Sequence, residues 1–225
     1  MQILVIDTET TFYNNNSLQE CIVEIGISEI DTRKNSVKKV YDEVIAYDLD
    51  VVYWGKKDDV WIFNNSTLSK EDVDIKSGRS KPIEQVVREV RELVKGKIAT
   101  AYNVAFDFGK FLQISPWYID NTKHPRYSDP NQMLQFTLAK CIMLEAAKVC
   151  KLPGRFGYKW PSLDEAINIL QIKPENYNID EYTKQVITNP LSRHRAYYDC
   201  AYSAMVLLEM IKRREYELPR QKINV

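Results

Sequence analysis

The chain has 225 residues, 31 basic and 31 acidic, with 44% hydrophobic and 28% charged side chains. This is enough chain for one buried core, and a net charge of zero excludes a protein that coats long nucleic acid by counterion release, though not one with a short local footprint. The apolar runs are too short for a bilayer. The opening MQILVID has no basic stretch or cleavage site before its apolar run, so the expectation is an intracellular, cytoplasmic protein with no signal peptide and no membrane contact.

Ile3 to Ile6 is a continuous apolar run suited to a strand covered on both faces. Cys21 to Ile30 and Val37 to Tyr47 alternate more, with DTRKN between them as a hairpin-like connection, so three strands come first. Residues 51–81 are irregular and read as a long excursion. After Pro82, apolar residues recur at helical spacing from Ile83 to Val94 until Gly96 stops the helix. Ile98 to Tyr102 follows as a short strand, then Asn103 as an N-cap and Val104 to Leu112 as a helix, an order that predicts crossover and parallel pairing. Further helices are predicted over about Met133 to Val149, over Leu163 to Leu170, and from about Arg195 to Arg214, the last with N-terminal signals at Pro190 and Ser192. One domain over residues 1–214 and a loosely held polar tail over 215–225 are expected. Cys21, Cys141, Cys150 and Cys200 are scattered and lack a CxxC, which fits reduced thiols.

Four acids interrupt apolar elements. Asp7 and Glu9 end the first strand, where a two-residue period puts both on one face. Asp107 lies between two phenylalanines in AYNVAFDFGKF, and Asp199 lies in AYYDCAYSAMVLLEMI. Buried carboxylates pair, protonate or bind metal, and no cationic partner is obvious in their sequence neighbourhoods. Oxygen ligands suit Mg²⁺ or Mn²⁺, and two such ions about 3.5 to 4 Å apart stabilise the attacking and leaving oxygens of a phosphodiester. Each acid alone has an ordinary structural reading, as a turn cap or an answer to a helix dipole. The joint pattern favours a shared site. His194, five residues before Asp199, does not share its helical stripe and suits a loop or helix start over that site.

VIDTETT, AYNVAFDFGKFL and HRAYYDCAYSAMVLLEM resemble the three motifs of the DnaQ-like DEDDh exonucleases in order and separation. IVEIGISEID and WPSLDEAINILQI extend the resemblance from about Met1 to Lys212. It implies an α/β RNase H-like fold, a mixed β-sheet of three N-terminal strands plus parallel strands flanked by α-helices. It also implies that Asp7, Glu9, Asp107 and Asp199 hold two divalent cations, Mg²⁺ or Mn²⁺, with His194 as general base. Thr8, Thr10, Phe12, Asn103 and Phe106 are the candidate substrate-binding residues, Phe12 and Tyr13 as rings to stack on terminal bases. Two departures stand out: Tyr102 where many members have His, and Cys141 at a position often acidic.

The expected activity is 3′→5′ hydrolysis of terminal phosphodiester bonds of single-stranded DNA or RNA to nucleoside 5′-monophosphates, with His194 accepting the proton of the attacking water. The partner is nucleic acid with a free 3′ end; a protein partner or homodimer stays open. Lys110, Arg193, Arg195, Arg155 and Lys159 are candidates to meet the backbone. Two alternatives remain: an oligonucleotide-specific exoribonuclease, and a nuclease fold that only binds nucleic acid or protein.

Overall fold

The structure, a computed structural model, describes residues 1–11, 21–50, 61–119 and 136–219. Its elements in chain order are β1 (Gln2–Thr10), β2 (Ile22–Asp31), β3 (Ser36–Ala46), α1 (Trp61–Asn65), β4 (Lys81–Pro82), α2 (Ile83–Val94), β5 (Ile98–Ala101) and α3 (Val104–Phe106). Then come β6 (Thr137–Leu138), α4 (Ile142–Cys150), β7 (Pro153–Gly154), β8 (Gly157–Tyr158), α5 (Leu163–Leu170), β9 (Asn178–Ile179), α6 (Glu181–Thr188) and α7 (Ala196–Lys212).

The central strand shows how the sequence builds the layers. Along β1, Leu4 and Ile6 enter one apolar cluster with α2, while Ile3 and Val5 enter another with α4, α5 and α7. All four are buried, as the unbroken apolar run requires of a strand covered on both faces. The sheet order is β4-β3-β2-β1-β5-β6, with β9 on β3. β1 pairs antiparallel with β2 and parallel with β5, β2 pairs antiparallel with β3, and β6 pairs parallel with β5. The expected mixed sheet flanked by helices is present.

α7 lies across β2 on the face that carries Glu24, Gly26 and Ser28. A Cβ on Gly26 would stand 2.6 Å from the backbone of Ala196 and Tyr197, so glycine sets how closely the helix approaches the strand. Cys200 continues the contact, its Sγ donating to the Val5 carbonyl at 3.0 Å and accepting from Ser28 N–H at 3.1 Å.

Several expectations change. The helix expected from Met133 starts only at Ile142, because Thr137–Leu138 extends the sheet instead: Thr137 and Ala139 N–H groups donate to Lys97 and Ala99 carbonyls at 2.8 Å and satisfy the edge of β5. The helix at 104–112 is α-helical only to Phe106 and then widens into a π-helical stretch, Asp107–Leu112. Pro190 and Ser192 belong to a separate 3₁₀ turn, since His194 at φ 59° breaks the path before α7. α6 was not anticipated, although Asp180 caps it by accepting from Thr183 N–H at 2.7 Å. The C-terminal segment is held as far as it is described: Tyr216 is buried and its hydroxyl donates to the Lys140 carbonyl at 2.6 Å. Among the described residues no helix is long and apolar enough to cross a membrane.

Candidate active site

The alternation that builds the two layers also distributes the polar end of β1. Asp7 and Glu9 continue the parity of Ile3 and Val5 and face α7, where Asp199 occupies the first turn. Carboxylate oxygens of Asp7, Glu9 and Asp199 lie within 4.8 Å of one another and form a group that could hold a metal ion. An all-oxygen set of that span is the chemistry of a hard divalent cation.

Thr8 has the opposite parity and meets Asp107. Its backbone N–H and its hydroxyl both donate to Asp107 Oδ1, at 3.1 and 2.7 Å. Asp107, only 3% exposed, begins the π-helical stretch; such widened turns recur at functional sites. Asn103 caps the same segment, its side chain accepting from Phe106 N–H at 3.4 Å, and Phe106 packs edge-on against Phe111 with centroids 5.0 Å apart. One cleft of about 230 Å³ is lined by Asp7, Thr8, Glu9, Tyr102, Asn103, Phe106, Asp107, His194 and Asp199. Five sequence motif residues from three distant segments therefore share one cavity. Thr10 is not among its lining residues, and Phe12 and Tyr13 lie outside the described residues.

Burial raises the pKa of all four acids, and neighbouring carboxylates raise Asp7, Glu9 and Asp199 further. Burial lifts Asp7 well above the ordinary carboxylate range, and Asp107, Asp199, Glu9 and Glu24 push it further. Glu9 is raised by burial and then by Asp199, Glu24 and Asp107, with Arg195 opposing. Burial takes Asp107 to about 7 against the two Thr8 hydrogen bonds. Asp199 also reaches about 7, through burial and then Asp164, with Arg193 opposing. The cluster lacks enough positive charge to be comfortable ionised, which is the electrostatic condition under which a bound cation contributes most.

Sequence reasoning missed Glu24. This carboxylate sits opposite Glu9 in the β1–β2 register and is 1% exposed. It accepts from Arg195 Nε at 2.8 and 2.9 Å, pairs with its Nη2 at 2.5 Å, and accepts from Ala196 N–H at 3.1 Å. Glu24 thus caps α7, which leaves Asp199 free of that duty. A lone acid inside the apolar run IVEIGIS was the available signal. Arg195, expected to meet a nucleic-acid backbone, instead faces Glu24 and donates to Thr67 Oγ1 at 3.0 Å. Arg193 pairs with Asp164, and Lys110 Nζ lies 5.5 Å from the Phe111 ring centroid.

The two departures from the motif pattern touch each other. Cys141 Sγ donates to the Tyr102 carbonyl at 3.2 Å, while the Tyr102 hydroxyl reaches the Pro161 and Ser162 carbonyls, each at 2.9 Å. Tyr102 thereby joins the cleft to the foot of the β7–β8 hairpin.

By sequence, no family model matches the chain and no curated protein is similar to it. Among solved structures, the fold is shared with three at a TM-score of 0.57. One similar structure shows 3′-end-specific recognition of a histone mRNA stem-loop by 3′-exonuclease, at 16% identity over 94% of this chain and 82% of that one, with a TM-score of 0.57. A full-length 3′-exonuclease matches at 16% identity over 100% of this chain and 92% of that one, again at 0.57. The nuclease domain of 3′hExo, a DEDDh family member, bound to rAMP, matches at 15% identity over 97% and 96%, with the same TM-score.

Proposed function

We propose that this chain is a metal-dependent 3′→5′ exonuclease that hydrolyses the terminal phosphodiester of a single strand and releases a nucleoside 5′-monophosphate. The observation that carries this reading is the convergence of Asp7, Glu9 and Asp199 oxygens within 4.8 Å, in a cleft that Asp107 and His194 also line. The fold likeness to 3′-exonucleases supports it.

Asp7, Glu9 and Asp199 would hold divalent cations, Mg²⁺ or Mn²⁺ and two in number, and Asp107, held by Thr8 in the same cleft, would complete the acidic set. When bound, the cations neutralise charge on the phosphoryl oxygens and make water easier to deprotonate. His194 accepts the proton of the attacking water, the new P–O bond forms in line, and the bond to the 3′ oxygen of the preceding nucleotide breaks. Asn103 and Phe106, which line the cleft, border the terminal nucleotide. Thr8 acts through Asp107 rather than on substrate. RNA is the substrate to try first, since similar structures hold a histone mRNA stem-loop and rAMP.

The test is a digestion panel of single-stranded RNA, single-stranded DNA, duplexes with 3′ overhangs and dinucleotides, each with Mg²⁺ or Mn²⁺. Release of 5′-monophosphates that stops with EDTA is expected. Hydrolysis confined to dinucleotides would replace the reading with an oligonucleotide-specific enzyme, and binding without hydrolysis would leave only a nucleic-acid-binding module.

A further inference from the structure

Between α4 and α5 a short hairpin carries large rings into solvent. β7 and β8 pair Pro153 with Tyr158 and Gly154 with Gly157, leaving Arg155 and Phe156 at the tip. Gly157 has φ 136°, a backbone region that other residues rarely adopt. Phe156 is 92% exposed, Tyr158 55% and Trp160 64%. Such a set of exposed rings marks a recognition surface rather than core packing.

The charge pattern selects the ligand. In a chain of net charge zero, residues 151–161 hold Lys151, Arg155 and Lys159 and no acid. Arg155 lies over the Phe156 ring at 5.1 Å, and Lys159 is tied to Glu165 at 2.6 Å, which anchors the foot of the hairpin. Rings interleaved with cations fit the alternating bases and phosphates of a single strand, where stacking is strong and indifferent to sequence. Tyr158 ends β8 and Trp160 follows two residues later, so one short segment exposes both rings.

The hairpin is also continuous with the cleft. The Tyr102 hydroxyl reaches Pro161 and Ser162 at the end of the hairpin, and Arg193, beside His194, pairs with Asp164 in the first turn of α5. We infer that the β7–β8 hairpin is a second nucleic-acid site, a stacking platform that grips the single strand upstream of the 3′ end lying in the cleft. This rests on the exonuclease reading for its direction but not for its binding.

The experiment compares the wild-type chain with F156A/Y158A/W160A, whose substitutions all fall on exposed rings. Binding of a 5′-fluorescein 12-nucleotide oligo(U) is measured by anisotropy in EDTA, where hydrolysis is off, and turnover of a dinucleotide is measured in Mg²⁺. Each stacked ring removed should weaken oligonucleotide binding about tenfold, with dinucleotide turnover unchanged. An unchanged Kd, or no binding by the wild-type chain, overturns the proposal. So does a shift from dimer to monomer in light scattering at unchanged Kd, which would make the hairpin a contact between copies. Failure of the wild-type chain to cleave any substrate sinks the exonuclease reading instead, and the EDTA measurement still decides the hairpin.

Discussion

His194 occupies the left-handed region at φ 59°, a conformation that non-glycine residues keep only when their surroundings impose it. One and two residues later, Glu24 grips the Arg195 guanidinium and the Ala196 N–H and so fixes the chain that leaves His194. In its proposed role as general base, His194 would contribute about 10²- to 10⁴-fold, so His194→Ala should lower kcat by that order while calorimetry shows cation binding retained. Normal turnover in that variant would assign water activation elsewhere. Glu24→Ala strips a buried, hydrogen-bonded charge from its partner, a change that costs about 2 to 5 kcal/mol; urea unfolding should show that loss, and the surviving folded enzyme should turn over more slowly because His194 loses its anchor. Wild-type stability would show that the pair does not set the start of α7. The four motif acids were legible because a carboxylate inside an apolar element needs a reason. Glu24 satisfied the same criterion, yet its partner Arg195 lies 171 residues away, and only the fold brings them together.

At the scale of elements, the site depends on α7 lying close against β2. Gly26→Ala would place a methyl group 2.6 Å from the helix backbone. Since that contact is with main chain rather than a flexible side chain, overpacking should cost about 1 to 3 kcal/mol. Thermal unfolding should show it as a lower Tm, accompanied by reduced activity as Asp199 moves from Asp7 and Glu9. An unchanged Tm with full activity would show that α7 tolerates displacement. The periodic elements were legible: the apolar run of β1, the valine stripe of α2, and the helix over Leu163–Leu170. The π-helical stretch was not, because Val104 to Leu112 carries an ordinary helical pattern and the widening is set by the Thr8 grip on Asp107 and by packing. β6 and β9 are each two residues long, too short for a period, and exist only because a sheet edge is there to pair with.

For the whole molecule, the acid cluster should make stability depend on pH and, if it binds cations as proposed, on them too. Asp107 and Asp199 have folded-state pKa values of about 7 against an ordinary 3.8. A carboxyl group raised in this way favours the folded state fully below about pH 4, and that contribution is lost as pH rises through about 7. In EDTA, Tm should therefore fall between about pH 4 and 7, and Mg²⁺ should restore it at the upper end by binding only the folded chain. D107N/D199N should flatten the dependence, and an identical slope in that variant would contradict the assignment. The central claim, directional hydrolysis in this cleft, is tested most directly with a 5′-labelled single-stranded RNA in Mg²⁺, wild-type chain beside Asp199→Asn. The account predicts a ladder shortening from the 3′ end for the wild-type chain, none for the variant, and none for either in EDTA. Cleavage of a circular strand, or an equal ladder from Asp199→Asn, would contradict it.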